Sequence, residues 1–317
     1  MKKKPKVLVT CYMAGTGKVW DLLKEHCDVV YNSGALVPLD KAQLIKQLKD
    51  VDCIISKGDK IDAEMIDAAP ELKVIGDMWG GGGVDKAACE KRGISLVNHS
   101  RGLRWIWHCE SEHAIMFMLA LGKRLKEADA FVRAGKFTVN DQSNKEMLGR
   151  GLRHRTLGLI GGAGWSGPHM IAAARGFDMK VIYWCPTKND DMDKAGGEYV
   201  NKNDLLDRAD FITVMALRGH SGYVLDKEDF DRMKKKPIIA NVTQGSLINE
   251  TELVAALKDG RVMGAGLDKL EKVTTPAPGL GELPNVFLTP HSDGAIERER
   301  CAIFEDLVNE CLKVLIQ

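Results

Sequence analysis

The sequence predicts an α/β protein with two doubly wound parallel sheets. Apolar runs of strand length alternate with stretches of helical periodicity along most of the chain, which is the pattern of parallel βαβ units. One of these units, at residues 156–185, contains a glycine-rich turn between two apolar runs. The length of 317 residues and the hydrophobic content of 44% are sufficient for two cores.

The expected elements follow this alternation in chain order. The first unit is predicted to contain strands at 6–12, 52–56, 72–76 and 94–97 and helices at 39–49 and 61–68. The second is predicted to begin with a long helical stretch at 110–134 and to contain strands at 157–160, 181–183, 211–214, 238–241 and 264–267. A C-terminal helix at 295–316 follows Pro290 and is expected to return to the first unit.

The glycine turn has the spacing of a dinucleotide-binding loop. Three glycines form the motif G-x-G-x-x-G directly after an apolar run, and a helix is expected from about Pro168. Glycines permit a tight turn and a close approach of the backbone to a pyrophosphate, and the helix N-terminus favours the anion. A purely structural turn is the alternative. The cofactor interpretation predicts contacts from Gly162, Gly164, Trp165, Ser166 and Gly167.

The end of the second strand of this unit bears on the choice between NAD and NADP. An acidic residue usually stands there and binds the ribose of NAD, but this chain has Cys185, followed by Thr187 and Lys188. Because no carboxylate would repel a 2′-phosphate and Lys188 offers a positive charge, the sequence favours NADP. Lys188 can equally be a solvated loop residue, with Arg218 or His220 as the cation or with no charged partner.

Composition and charge limit the partners and the compartment. The 45 basic and 44 acidic residues are mixed along the chain and give a formal net charge of +1, so nothing indicates a nucleic-acid or membrane surface. The N-terminal residues are typical of a first strand and not of a signal peptide. The eight cysteines lack the spacing of a zinc site, which predicts a reducing cytoplasm without disulfides or structural metal. A small molecule is the expected partner.

Ordered segments along nearly the whole chain resemble the D-isomer-specific 2-hydroxyacid dehydrogenases. These segments are 70–75, 92–94, 112–121, 156–185, 241–250, 255–260, 264–268 and 288–291. The resemblance implies two Rossmann-like domains with a cleft between them: a flavodoxin-like substrate domain at 1–103 plus 290–317, and a dinucleotide-binding domain at 104–289. It also implies a cofactor contact at Asp268 and, as is usual in the family, a homodimer formed through the central domain.

The catalytic residues of that family are only partly present. In the family an Arg binds and polarises the 2-oxo acid, a His transfers the proton and a Glu holds the His. His291 matches, but Gln244 stands in place of the Arg and Val273 in place of the Glu. A neutral amide cannot replace a guanidinium in kind, so Gln244 is expected to donate one hydrogen bond to the substrate oxygen. Glu271 or Asp293 is a candidate to replace the Glu, unless each is solvated.

The glycine loop of the substrate domain differs from the family pattern as well. Residues 77–84 include four consecutive glycines, whose backbone N–H groups are free either to meet a ligand or to form a hinge. Trp79, Gly80 and Gly81 are the candidate substrate-binding residues of this loop.

The next loop, 98–109, is longer than is usual in the family and rich in Arg and Trp. Arg101 or Arg104 is a candidate for the missing positive charge, and Trp105 for the wall of a pocket that admits a bulky or aromatic substrate. An interdomain packing loop is the alternative. His108, Glu112 and His113 are candidate metal ligands, because the i, i+4 spacing places two of them on one helical face. This segment matches a helix start in a family that needs no metal, so no metal is expected.

The sequence thus predicts an NAD(P)-dependent oxidoreductase that transfers a hydride between nicotinamide and a hydroxy or oxo compound, with a bulky 2-oxo acid as a candidate substrate. His291 is the expected acid–base. A lyase or isomerase that uses tightly bound NAD(P) transiently, and a non-catalytic NAD(P)-sensing protein, are the alternatives.

Overall fold

The chain folds into two compact units, each built on one parallel sheet. The structure is a computed structural model that describes residues 3–11, 17–31, 41–57, 59–78, 82–98, 103–137, 145–164, 166–215, 221–272 and 274–316, without the side chains of 103–107, 297, 299 and 300. One unit comprises Met1–Ile106 and Ala295–Gln317, and the other comprises Trp107–Gly294. Each limit lies a few residues beyond the domain limit expected from the sequence.

The first unit contains a five-stranded parallel sheet in its described residues. Its strands are β1 (Lys6–Val9), β2 (Asp28–Tyr31), β3 (Cys53–Ser56), β4 (Val74–Asp77) and β5 (Ser95–Asn98). The strand order is β2-β1-β3-β4-β5, which is the flavodoxin-like order. Its first helices are α1 (Gly17–His26), α2 (Lys41–Gln47), α3 (Ala63–Asp67) and α4 (Lys86–Arg92).

The second unit contains a seven-stranded parallel sheet. Its strands are β6 (Thr156–Ile160), β7 (Lys180–Trp184), β8 (Glu198–Tyr199), β9 (Phe211–Val214), β10 (Ile238–Asn241), β11 (Gly264–Leu267) and β12 (Val286–Leu288). The order across the sheet is β12-β11-β10-β9-β6-β7-β8. The chain therefore moves from β6 outward to β8, returns to β9 beside β6, and continues to β12, which is the doubly wound Rossmann topology with one added edge strand.

Helices complete both units. The helix α5 (Leu103–Gly122) begins in the last residues of the first unit and continues into the second. The further helices of the second unit are α6 (Leu125–Arg133), α7 (Ser166–Arg175), α8 (Asp190–Lys194), α9 (Lys202–Arg208), α10 (Lys227–Arg232) and α11 (Glu250–Lys258). The last helix, α12 (Glu297–Ile316), returns to the first unit and packs on β4, as expected from the sequence. The approach is close because β4 contains Gly76, where a Cβ would lie 2.6 Å from the Cys311 Sγ.

Several predicted elements need correction. The single long helical stretch at 110–134 is two helices, because Arg124 has a left-handed backbone with φ of +52° that ends the helical path after α5. Helix α7 begins at Ser166, before the expected Pro168. The short strands β2, β8 and β12 were not predicted, since two to four residues give little periodicity to read. The strands at 211–214, 238–241 and 264–267 are confirmed.

The burial of the central strands agrees with their continuous apolar sequences. Strands β3, β4, β9, β10 and β11 are buried at every position, as expected for parallel strands covered on both faces. None of the helices in the described ranges is both long enough and apolar enough to cross a membrane.

Candidate functional site

The candidate site lies at the carboxyl edge of the seven-stranded sheet. In a parallel sheet all the loops that follow the strands emerge at one edge, and β10, β11 and β12 are adjacent in the order. The loops after these strands carry Gln244, Asp268 and His291, while the glycine turn follows β6 at the same edge. The sheet topology therefore brings together residues that are more than a hundred positions apart.

The glycine turn has the backbone that the motif predicts. Gly162 and Gly164 have φ values of +81° and +132°, which side chains rarely tolerate. The N–H of Gly167 donates to the carbonyl of Gly162 at 3.0 Å, and a Cβ on Gly167 would overlap that same carbonyl oxygen. The turn is therefore an open backbone cradle at the N-terminus of α7, and it fits the pyrophosphate of a dinucleotide.

The Cys185 and Lys188 side chains at the end of β7 have partners within the protein, and their contacts with a cofactor stay predictions. The Cys185 side chain is buried, and its Sγ donates to the carbonyl of Thr187 at 2.8 Å. The Lys188 Nζ lies 2.9 Å from the Asp193 carboxylate, and its side chain is 58% exposed. Lys188 is thus already paired with Asp193. A 2′-phosphate would have to compete with this carboxylate for the lysine.

His291 is presented on a loop with an unusual backbone. Its φ of +54° is in the left-handed region, and its side chain is 64% exposed. Such a conformation in a residue other than glycine persists only where surrounding contacts hold it. Here the His291 N–H donates to the Asp268 carbonyl at 3.0 Å, which ties the loop after β12 to the loop after β11.

The Asp268 carboxylate supplies most of the remaining anchoring. It accepts hydrogen bonds from the Thr289 hydroxyl, from the Ser292 N–H at 2.8 Å and from the Asp293 N–H at 3.0 Å. Burial opposes its ionisation, but these hydrogen bonds outweigh that effect and lower the pKa of Asp268. The Asp268 side chain is fully buried and fixes the loop that carries His291, and its contact with the cofactor stays a prediction.

His113 belongs to the same anchoring network. Its Nε2 lies 2.9 Å from the Thr289 Oγ1 and 3.5 Å from the Asp268 carboxylate, and its ring packs edge-on against Phe117. The ring of His108 instead packs against His169 with 4.0 Å between centroids. The two histidines of this helix therefore have separate structural partners.

Asp293 is the carboxylate that the structure brings to His291. Its Oδ1 lies 3.9 Å from the His291 Nε2, and the residue is only 4% exposed. Glu271, the other candidate, accepts hydrogen bonds from the Tyr223 hydroxyl at 2.6 Å and from the Glu250 N–H at 3.1 Å. Asp293 is therefore buried and not solvated as expected, whereas Glu271 is partly exposed and hydrogen-bonded to other residues. Asp293 is the carboxylate that lies 3.9 Å from the histidine.

The loop of Gln244 is defined by its neighbours. The Asn241 side chain donates to the Gln244 carbonyl at 2.9 Å, and the Gln244 Nε2 donates to the Ser246 Oγ at 3.0 Å. A Cβ on Gly245 would overlap the Leu270 carbonyl, so this glycine permits the loops after β10 and β11 to touch. Gln244 itself is exposed at the edge of the sheet.

Two residues of this region were missed by sequence reasoning. Lys269 follows Asp268, and its Nζ lies 3.0 Å from the Asp293 Oδ1 and donates to the Val242 carbonyl at 3.0 Å. Glu110, on α5, is largely buried; burial and the nearby Asp293 raise the pKa of its carboxyl to about 7, although Lys269 opposes the shift. A charged residue directly after a buried strand is a signal that points to Lys269, whereas nothing in the local sequence marks Glu110.

Other predicted site residues lie outside the described residues. They are Trp79, Gly80, Gly81, Arg101, Trp165, Arg218, His220 and Val273. Arg104 and Trp105 lie in α5, but their side chains are not described. Their roles stay predictions.

Two family models match the chain in succession. The model of the D-isomer specific 2-hydroxyacid dehydrogenase catalytic domain matches residues 10–103, and that of the NAD binding domain matches residues 115–292. The second match alone covers more than half of the chain and includes the glycine turn, Gln244, Asp268 and His291.

Individual relatives agree with the family models. The chain is 32% identical over 308 residues to a glyoxylate reductase of Korarchaeum cryptofilum, a match that covers 95% of this chain and 90% of the relative. It is 30% identical over 303 residues to a glyoxylate reductase of Thermococcus litoralis, with 94% and 89% covered. The crystal structure of the TT0316 protein of Thermus thermophilus superposes with a TM-score of 0.84 at 31% identity, covering 98% of this chain and 97% of that one.

The two parallel-sheet units agree with these matches, which together cover residues of both units. The chain belongs to the D-isomer-specific 2-hydroxyacid dehydrogenase family and is a nicotinamide-dependent oxidoreductase.

Proposed function

We propose that this protein reduces a 2-oxo acid to the corresponding D-2-hydroxy acid, with His291 as the acid–base. The reaction consumes one reduced nicotinamide, one proton and one 2-oxo acid, and gives the oxidised nicotinamide and the hydroxy acid. The observation that carries the proposal is the exposed His291 imidazole on an anchored loop, with Asp293 at 3.9 Å, at the sheet edge that also bears the glycine cradle.

Each residue has a part that follows from its contacts. The nicotinamide, when bound, supplies the hydride to the carbonyl carbon. His291 gives a proton from its imidazole to the carbonyl oxygen, and the Asp293 carboxylate stabilises the protonated ring. Asp268 keeps the loop in place through the Ser292 and Asp293 N–H groups. Gln244 donates a hydrogen bond to the substrate oxygen.

We further propose NADP as the preferred cofactor and a bulky or aromatic side chain on the substrate. The absence of a carboxylate at Cys185 supports the cofactor preference, and the Trp-rich sequence at 98–109 supports the substrate preference. Lys188 then serves the 2′-phosphate only by exchanging its partner Asp193 for it.

The test is oxidation of NADPH and of NADH, followed by absorbance, across small, branched and aromatic 2-oxo acids beginning with glyoxylate. We expect stoichiometric nicotinamide oxidation and a higher kcat/KM with NADPH and the larger acids. Confirmed cofactor binding without turnover of any acid contradicts the proposed reaction, and turnover of glyoxylate alone contradicts the preference for large substrates.

A variant at Lys188 tests the cofactor preference by itself. Because an exposed ion pair contributes little and Lys188 must leave Asp193, Lys188→Met is expected to reduce the NADPH-to-NADH ratio of kcat/KM by about 3-fold to 10-fold. Lys194→Met is the matched control, since Lys194 is an exposed lysine paired with Asp191 on α8. An unchanged ratio in Lys188→Met removes Lys188 from the phosphate site.

We propose a homodimer formed through the outer face of α5. On this face Met116 is 44% exposed. Leu125 at the start of α6, 55% exposed, and Phe177, 42% exposed, lie beside it, so a monomer leaves a patch of apolar side chains in water. Light scattering is expected to give about twice the chain mass of 34.9 kDa. A monomer mass at every concentration contradicts the proposal.

A further inference from the structure

The region around His291 has an excess of negative charge. Asp268 and Asp293 are both nearly fully buried there, and Glu110 is close enough to influence the same group of charges. The substrate proposed above is itself an anion. A site that carries only carboxylates would repel it, and Gln244, in the position of the family arginine, brings no charge.

Lys269 is the cation that the described residues place among these carboxylates. Its Nζ lies 3.0 Å from the Asp293 Oδ1 and 3.9 Å from the Asp268 Oδ2, and its side chain is 14% exposed. It also donates to the Val242 carbonyl at 3.0 Å. Lys269 therefore joins three consecutive loops of the sheet edge: the loop after β10 that continues to Gln244, its own loop after β11, and the His291 loop after β12.

The contacts leave the ammonium group able to act on a ligand. An ammonium has three N–H donors, and its hydrogen bonds to Val242 and Asp293 use two of them. The side chain is 14% exposed, and the residue lies at the same sheet edge as the exposed Gln244 and His291. In this partly dry environment a positive charge acts more strongly than it does in bulk water.

The direct contact with Asp293 links Lys269 to the acid–base. The Asp293 Oδ1 lies 3.9 Å from the His291 Nε2, and the lysine forms its ion pair with this same oxygen. Loss of Lys269 would leave Asp293 as a buried carboxylate without its cation. Its position beside His291 would no longer be fixed by that ion pair.

We propose that Lys269 is a positioning residue of this active site, which holds Asp293 beside His291 and supplies the positive charge that Gln244 lacks for the carboxylate of the substrate. This rests on the proposed reduction of a 2-oxo acid. The positive charge that the family arginine provides on the loop after β10 is thus provided here by Lys269 on the loop after β11.

The experiment compares a 2-oxo acid with its uncharged methyl ester in the wild type, Lys269→Met and Lys269→Arg. A charge-assisted contact that is lost lowers the acid-to-ester ratio of kcat/KM by roughly 10-fold or more in Lys269→Met. Lys269→Arg keeps the charge, so its ratio is expected to stay close to the wild-type ratio. Turnover of the ester also falls in Lys269→Met, because Asp293 is no longer held.

A nearby exposed lysine provides the matched control. Lys272 lies on the same loop, and Lys272→Met is expected to leave the ratio and the rates unchanged. Binding of NADPH, followed by fluorescence, and the unfolding temperature are measured for every variant. Both are independent of turnover, and unchanged NADPH binding shows that the glycine cradle is intact.

A second pair of variants covers the case in which Lys269→Met does not fold. Asp293→Asn and the double variant Asp293→Asn with Lys269→Met differ only in the lysine, and the double variant leaves no unpaired charge at this ion pair. A lower acid-to-ester ratio in the double variant supports the proposal.

Two results overturn it in distinguishable ways. If the wild type reduces 2-oxo acids but removal of Lys269 leaves the acid-to-ester ratio unchanged, the lysine only neutralises buried carboxylates, and the proposed function stands without it. If the wild type binds NADPH but reduces no 2-oxo acid, the proposed function fails and the role of Lys269 fails with it.

Discussion

The glycine turn after β6 and the loops after β10, β11 and β12 lie at one edge of the same sheet, but different parts of the chain determine their geometry. The turn depends on backbone: Gly162 and Gly164 have positive φ values, and Gly167 packs against the Gly162 carbonyl. The three loops depend on side chains that contact one another across the edge, such as Asp268 with Thr289 and Lys269 with Asp293.

This difference gives a physical reason for the part of the site that the sequence resemblance predicts to depart from the family. A cradle made of backbone has few alternative sequences, because only glycine tolerates both the φ values and the close approach. A cluster of charged side chains can be rearranged if the balance of charge and the hydrogen bonds are kept. Accordingly the glycine motif is intact, whereas the sequence resemblance predicts Gln244 in the place of the family arginine, and Asp293 is the carboxylate that faces His291.

The largest expected effect concerns the side-chain half of the comparison. His291→Asn removes the proton donor but keeps a residue that accepts a left-handed backbone, so turnover is expected to fall by roughly 10²-fold or more while NADPH still binds. His154→Asn is the matched control, because His154 is an exposed histidine with φ of +59°. A His291→Asn variant with the wild-type rate would remove His291 from the mechanism.

The backbone half is tested by adding one methyl group. Gly167→Ala places a Cβ against the Gly162 carbonyl and 2.9 Å from the Met192 Cε, so NADPH affinity is expected to fall by about 10-fold to 100-fold, with a lower unfolding temperature. Fluorescence titration measures the affinity. In Gly151→Ala the new Cβ meets no heavy atom within 4 Å among the described residues, and affinity should not change. Equal affinity in the two variants would show that the cradle tolerates a side chain.

A smaller expected effect is a pH dependence of stability that comes from Glu110. Because the folded pKa of Glu110, about 7, is above the ordinary value of 4.5, the folded state binds the proton more tightly than the unfolded state. The contribution of this carboxyl to the free energy of unfolding is therefore largest below pH 4.5. It declines by at most about 3 kcal/mol as pH rises from about 4.5 to 7, and it is constant above that pH.

Glu110→Gln isolates this contribution, since the amide has a similar shape and does not titrate. The difference in the free energy of unfolding between the variant and the wild type is expected to grow in favour of the variant between about pH 5 and pH 7, as followed by denaturant titration. A difference that does not vary with pH would mean that Glu110 titrates normally.

The sequence by itself determined the fold class, the dinucleotide turn and the candidate acid–base. Each of these is encoded locally: strands such as 238–241 and 264–267 by continuous apolar residues, the cradle by the spacing of three glycines, and His291 by its resemblance to a family motif. Short strands such as β12 were missed because three residues carry too little pattern.

The tertiary structure alone decided which charges meet. Glu271 is closer in sequence than Asp293 to Val273, the position where the resemblance predicts the family glutamate. Glu271 nevertheless accepts a hydrogen bond from Tyr223, while Asp293 faces His291. Lys269 is a candidate site residue only because the fold places its Nζ 3.0 Å from both the Val242 carbonyl and the Asp293 carboxylate. Parallel strands bring distant loops to one edge, and the direction in which each side chain leaves its loop depends on packing that the local sequence does not encode.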